Sequence, residues 1–187
     1  MRMCAKLKIV YSPRYCEVYS RDPAAIPGRV EAICDSLEGR FPFLEPEPAT
    51  ETDLLLVHST HHIASIKRDS YLYEMALLAA GGALLTARTA FEHEPCFGLI
   101  RPPGHHASPD DCWGFCFFNN LAVSLRALAV SGAVKKAVIE ADYTRLGEIA
   151  RDYAGAYCGE RRYALLEGGY NHDVLGKHVL AFLEGFA

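Results

Sequence analysis

Short, continuously apolar runs alternate with helix-length segments along this chain, and that alternation limits the folds open to it. Four runs read as strands: "LKIVYS" (7–12), "CFGLI" (96–100), "KKAVIEA" (135–141) and "RRYALLEGGY" (161–170). Their apolar residues are consecutive rather than alternate, as in strands covered on both faces. Helical segments lie between them. In "PGRVEAICDSLEG" (27–39), Pro27 suits the first turn, Val30, Ile33, Cys34 and Leu37 share a face, and Gly39 can end the helix. "YLYEMALLAAGGALLTARTAFEH" (71–93) is apolar on nearly every side and reads as a buried helix, with Gly81 and Gly82 allowing a close neighbour. "NLAVSLRALAVSG" (120–132) closes on Gly132, and "HDVLGKHVLAFLEG" (172–185) is the last helix. "DYTRLGEIARDYAGAYCG" (142–159) is amphipathic, with Asp142 or Thr144 as cap and Gly159 as stop. "FPFLEPEPAT" (41–50) reads as loop. "TETDLLLVHSTHHIASIKR" (50–68) has two readings, a buried strand over Leu54–Val57 or a helix capped by Thr50 or Thr52. The whole pattern predicts an α/β layer fold with a mainly parallel central sheet, as one domain over residues 1–187. Ligands of such folds gather at the carboxyl ends of the strands. The loops after Ile100 and after Glu167 both lie there and are expected to face one pocket.

Composition narrows the function classes. The net charge is −4 and no Lys/Arg run reaches four residues, which argues against a nucleic-acid or anionic-membrane surface. The seven cysteines are scattered, odd in number and without a CxxC pair, a pattern of free thiols in a reducing compartment. The N-terminal "MRMCAKLKIVYS" does not read as a signal peptide. No apolar stretch approaches the ~18–20 residues of a membrane span. The expectation is a soluble cytoplasmic protein.

The chemistry concentrates in "RPPGHHASPDDCWGFCFFNN" (101–120). Pro102 and Pro103 stiffen the backbone ahead of His105 and His106. Paired imidazoles titrating near neutral pH let one accept a proton while the other returns one. Gly114 permits a close approach to the backbone, and Phe115, Phe117 and Phe118 could wall an apolar slot. Tyr170, after Gly168-Gly169, could turn its hydroxyl toward a reacting carbonyl. Glu167 before those glycines reads as structural. His58 and His62, four apart, read as solvated or capping histidines rather than as a metal pair. Cys112 and Cys116 could hold a structural zinc, but their spacing beyond His106 is irregular, which makes that the weaker reading.

"RPPGHHA", "GFCFFNN" and "LEGGYN", in that order, resemble the histone deacetylase and acetylpolyamine amidohydrolase family. "VYSPRY", "DLLLVHSTHHI" and "VLGKHVLAFLEGF" extend the similarity over most of the chain. The resemblance implies an arginase–deacetylase-like three-layer α/β fold. It implies hydrolysis of an N-acetylated amine, of acetyl-lysine or acetylpolyamine type, with zinc (or iron) polarising the acetyl carbonyl and activating a water. By motif match His106 is the general base, His105 assists electrostatically, and Tyr170 bonds the oxyanion. Gly114 and Phe115 line the acyl slot.

The resemblance breaks where the family binds its metal, at a text like "DxDxHxGDGT". Here "KKAVI" runs into "EADYTRLGEIA". Glu140 and Asp142 could mimic the first carboxylates, but the histidine position falls on Thr144. Asp142 reads better as a helix cap, and no residue of this sequence is assigned as a metal ligand. Two expectations stay open. One is an inactive, truncated relative that binds acylated ligands or serves in assembly. The other is a longer polypeptide of which a stretch is missing here, favoured because strands cut from a sheet leave apolar edges exposed. Self-association, giving a homo-oligomer, is a further way to cover such edges.

Overall fold

The computed structural model describes residues 7–92, 94–133, 144–167 and 172–187. Four strands, β1 (Lys8–Val10), β2 (Phe43–Leu44), β3 (Cys96–Gly98) and β4 (Tyr163–Leu165), form one sheet in the order β2-β1-β3-β4. Every pairing is parallel, with Ile9 opposite Phe43 and Phe97, and Phe97 opposite Ala164. All four strands therefore deliver their carboxyl ends to the same edge.

Helices cover both faces. On one, Ile9 and Phe97 are buried with Val30, Ile33 and Leu37 of α1 (Arg29–Leu37) and with Leu175, Val179 and Leu183 of α7 (His172–Phe186). Helix α6 (Thr144–Tyr157) packs on α7. On the other face Val10 and Cys96 meet Ala90 of α4 (Ser70–Phe91), and α4 packs against α5 (Asn120–Val130). The Ser124 hydroxyl of α5 lies 3.1 Å from that of Tyr163 on β4. These are the three layers of the expected α/β fold. No helix among the described residues is long and apolar enough to cross a membrane.

Helix α4 is buried on opposite sides at once, which explains its lack of a polar face. A Cβ on Gly81 would overlap the Glu47 carbonyl oxygen, and one on Gly82 would stand 2.5 Å from the Tyr15 hydroxyl. The ambiguous segment at 50–68 folds as two short helices, α2 (Glu51–Leu54) and α3 (Thr60–Ile66). Thr50 decides the first of them. Its hydroxyl accepts the Asp53 N–H while the Asp53 carboxylate accepts the Thr50 N–H, a reciprocal cap that a strand could not use. One expectation is corrected: "FPFLEPEPAT" is not all loop, because Phe43–Leu44 joins the sheet edge beside β1. The cap of α6 expected at Asp142 or Thr144 falls at the edge of the described residues: the helix is described from Thr144, and Asp142 lies outside them. The predicted strand "KKAVIEA" also lies outside them.

Candidate functional site

The loop 99–119 leaves β3 at the carboxyl edge, and buried polar bonds fix its course. Arg101 is fully buried. Its Nη1 donates to the carbonyls of Ala24 and Ile26 at 3.3 and 2.9 Å, and its Nη2 to that of Glu17 at 2.8 Å. The guanidinium also lies over the Tyr19 ring. The Arg101–Pro102 peptide is cis. Asn120, buried at the start of α5, donates from Nδ2 to the Pro102 carbonyl at 3.0 Å. Asn119 caps α5 through Oδ1 and donates from Nδ2 to the Ala107 carbonyl at 2.9 Å. The two asparagines thus anchor both flanks of the histidine pair.

His105 and His106 are adjacent with ring centroids 4.1 Å apart. Their surroundings differ. His105 is exposed, and its Nδ1 is 2.9 Å from Glu167 Oε2. His106 is half-buried and stacks on Trp113, centroids 3.7 Å apart and planes 27° apart. Its backbone N–H points to Cys116 Sγ at 3.3 Å. Gly114 sits at φ +65°, and a Cβ there would meet His106 Cδ2 at 2.8 Å. Gly114 therefore gives the backbone its left-handed turn and leaves room for the His106 ring. Phe115 beside it is half-buried. The structure thus brings together His105, His106, Gly114 and the loop after β4, as parallel strands at one edge predict. Tyr170, Glu140 and Asp142 lie outside the described residues.

Several expectations change. Phe118 walls no slot: it is buried in the core with Tyr73 and the rings of His58 and His62. Phe117 is half-buried, edge-on to Tyr19. His58 and His62 are not solvated; they are 3% and 2% exposed. The Asn119 N–H donates to His58 Nε2 at 2.9 Å, so Nδ1 carries the proton and donates to the Ser108 carbonyl at 2.9 Å. His62 Nε2 bonds the Phe117 carbonyl at 2.8 Å. This pair supports the floor of the loop from beneath. Burial, with His62 beside it, pushes the His58 imidazole below its ordinary value. Two residues of the site were missed in the sequence, Trp113 as a ring partner and Glu167 as a partner of His105.

The metal expectation was tested on the donors present. Among the described residues no three His, Cys, Asp or Glu side chains converge as a metal-binding group. The carboxylate bonded to the pair is Glu167, whose Oε2 already receives His105 and the Gly104 N–H at 2.9 Å. Burial raises the thiols of Cys112 and Cys116 above their ordinary values. The described residues do not fit a metal centre, and no step is assigned to one.

The matched motifs and the fold agree with comparisons to known proteins. The histone deacetylase domain model matches residues 24–143, well over half of the chain. A probable deacetylase of Methanothermobacter thermautotrophicus is 34% identical over 135 residues, 63% of this chain and 41% of that protein. A histone deacetylase-like amidohydrolase of Pseudomonas aeruginosa is 36% identical over 130 residues, covering 59% and 34%. An acetylpolyamine amidohydrolase of Mycoplana ramosa is 40% identical over 75 residues, covering 40% and 21%. This chain thus spans about two-fifths or less of these relatives' length. The crystal structure of the HDA15 HD domain superposes with a TM-score of 0.77 at 17% identity, over 97% of this chain and 88% of that one, which supports the arginase–deacetylase fold. With the domain match running through the histidine loop and the sheet in the matching fold, the chain belongs to the histone deacetylase domain family.

Proposed function

We propose that this chain supplies the histidine-bearing part of a site that hydrolyses an N-acetylated amine, of acetyl-lysine or acetylpolyamine type. The observation that carries the reading is the His105–His106 pair, held side by side on a braced loop at the sheet's carboxyl edge in a deacetylase-family chain. His106 takes a proton from the attacking water and later returns it to the leaving amine. His105, one residue away, supports the charge that moves through the pair. Tyr170 donates to the oxyanion of the tetrahedral intermediate. Gly114 and Phe115 line the passage for the acetylated side chain. In the family a bound zinc or iron supplies carbonyl polarisation and an activated water. The whole is one deacetylase-like unit, and its free thiols suit the cytoplasm.

The test is acetate release from an acetyl-lysine peptide and from an acetylpolyamine, with zinc or iron(II) supplied. We expect acetate release that falls by about 100-fold or more in His106→Ala. A second reading, a catalytically inactive module that binds acylated ligands, is favoured by the sequence, where "EADYTRLGEIA" stands in place of the family's "DxDxHxGDGT" text. Saturable binding of the acetylated amine without acetate release would establish that reading and overturn the first.

A further inference from the structure

We propose that Glu167 is the positioning residue of the histidine pair, holding His105 in the Nδ1–H tautomer and leaving Nε2 as its basic nitrogen. The inference deepens the deacetylase reading and draws its functional meaning from it. The direction of the hydrogen bonds carries the argument. Glu167 Oε2 is 2.9 Å from the Gly104 amide nitrogen, a group that can only donate. That oxygen is therefore an acceptor, and His105 Nδ1, also at 2.9 Å, is the donor. A ring nitrogen bonded in this way fixes both the tautomer and the plane of the imidazole.

The carboxylate is itself held in place. The Glu167 carbonyl accepts from Nη2 of Arg29 at 2.9 Å, and Arg29 is fully buried on α1. The preceding Leu166 N–H bonds the Gly98 carbonyl at 2.8 Å, extending the β3–β4 ladder by one rung. Glu167 thus joins α1, β3 and β4 to the loop one residue before His105. The His105–Glu167 pair is too open to water to add much to stability. Its role is geometric. The two rings are set by different means, His105 by a carboxylate and His106 by the Trp113 indole.

The experiment is two-bond 1H–15N correlation NMR of the full chain with 15N-labelled histidine, above about pH 8 where imidazoles are neutral. In the parent we expect His105 to show a protonated Nδ1 and a bare Nε2. In Glu167→Ala the ratio of Nδ1–H to Nε2–H forms should fall by about tenfold, with the His58 pattern unchanged as an internal check on folding. A parent His105 in the Nε2–H form overturns the proposal without any variant. An Nδ1–H form that persists in Glu167→Ala overturns it equally. Should acetate release be absent while the tautomer responds to Glu167, the function reading falls and this proposal stands.

Discussion

Gly114 carries two constraints in one residue. Its φ of +65° disfavours any side chain, and the space beside it is filled by His106 Cδ2. Gly114→Ala should therefore lose about 1–2 kcal/mol in urea unfolding from backbone strain alone. The displaced His106 ring should also change the emission of Trp113, the chain's single tryptophan, because the two rings stack. Destabilisation with unchanged emission would separate the turn from the ring contact and contradict the geometry. His58 answers to pH. Burial lowers its imidazole, so the unfolded chain binds a proton that the folded one refuses. Its contribution to stability is full above about pH 6.5 and is lost as pH falls through the lower folded value. Unfolding midpoints compared at about pH 7.5 and about pH 5 should show a steeper acid loss in the parent than in His58→Asn, by no more than about 1.4 kcal/mol per pH unit. Equal losses would remove His58 as the cause.

At the scale of elements, one substitution should have opposite signs in two helices. Gly81 in α4 touches the Glu47 carbonyl, whereas Gly155 in α6 has nothing within 4 Å of an added Cβ. Gly81→Ala should lower the melting temperature, through overpacking of about 1–3 kcal/mol or more. Gly155→Ala should raise it, by up to about 1 kcal/mol of helix propensity. Two shifts of the same sign would show that packing around α4 is looser than its backbone contacts indicate. The contrast also shows what the sequence could reveal. The long helix and its close-packed glycines were legible because an unbroken apolar surface leaves few alternatives to burial. Strand β2 was not, since two residues among prolines become a strand only when β1 arrives beside them. The 50–68 segment stayed ambiguous because four consecutive apolar residues fit either period, and only the Thr50–Asp53 exchange separates them. Of the two readings for His58 and His62, solvated or capping, the solvated one failed because their partners are backbone groups near Ser108, Phe117 and Asn119, far along the chain.

Across the whole molecule, the parallel sheet assembles the site and buried guanidinium groups lock it. His105, His106 and Gly114 were legible as one contiguous motif. Glu167 was not recognisable as their partner, because it depends on β4 pairing beside β3. Arg29 ties α1 to the loop after β4, and Arg101 ties the loop after β3 to the loop after β1. Arg101 in particular spans three carbonyls with one planar fork, a reach that a lysine ammonium cannot copy. Removing the fork leaves those carbonyls buried or forces the 17–26 segment to open toward water. Arg101→Met should therefore cost about 1–3 kcal/mol for each carbonyl left buried and unsatisfied, read in denaturant unfolding, and Arg101→Lys somewhat less. The loss should be local before it is global. Limited trypsinolysis should cleave after Arg21, inside the tied segment, many times faster in Arg101→Lys than in the parent. Cleavage after Arg40, which lies outside that segment, should rise much less. Equal acceleration at both sites would mean that Arg101 stabilises the fold as a whole and does not specifically hold the β1 loop against the histidine loop.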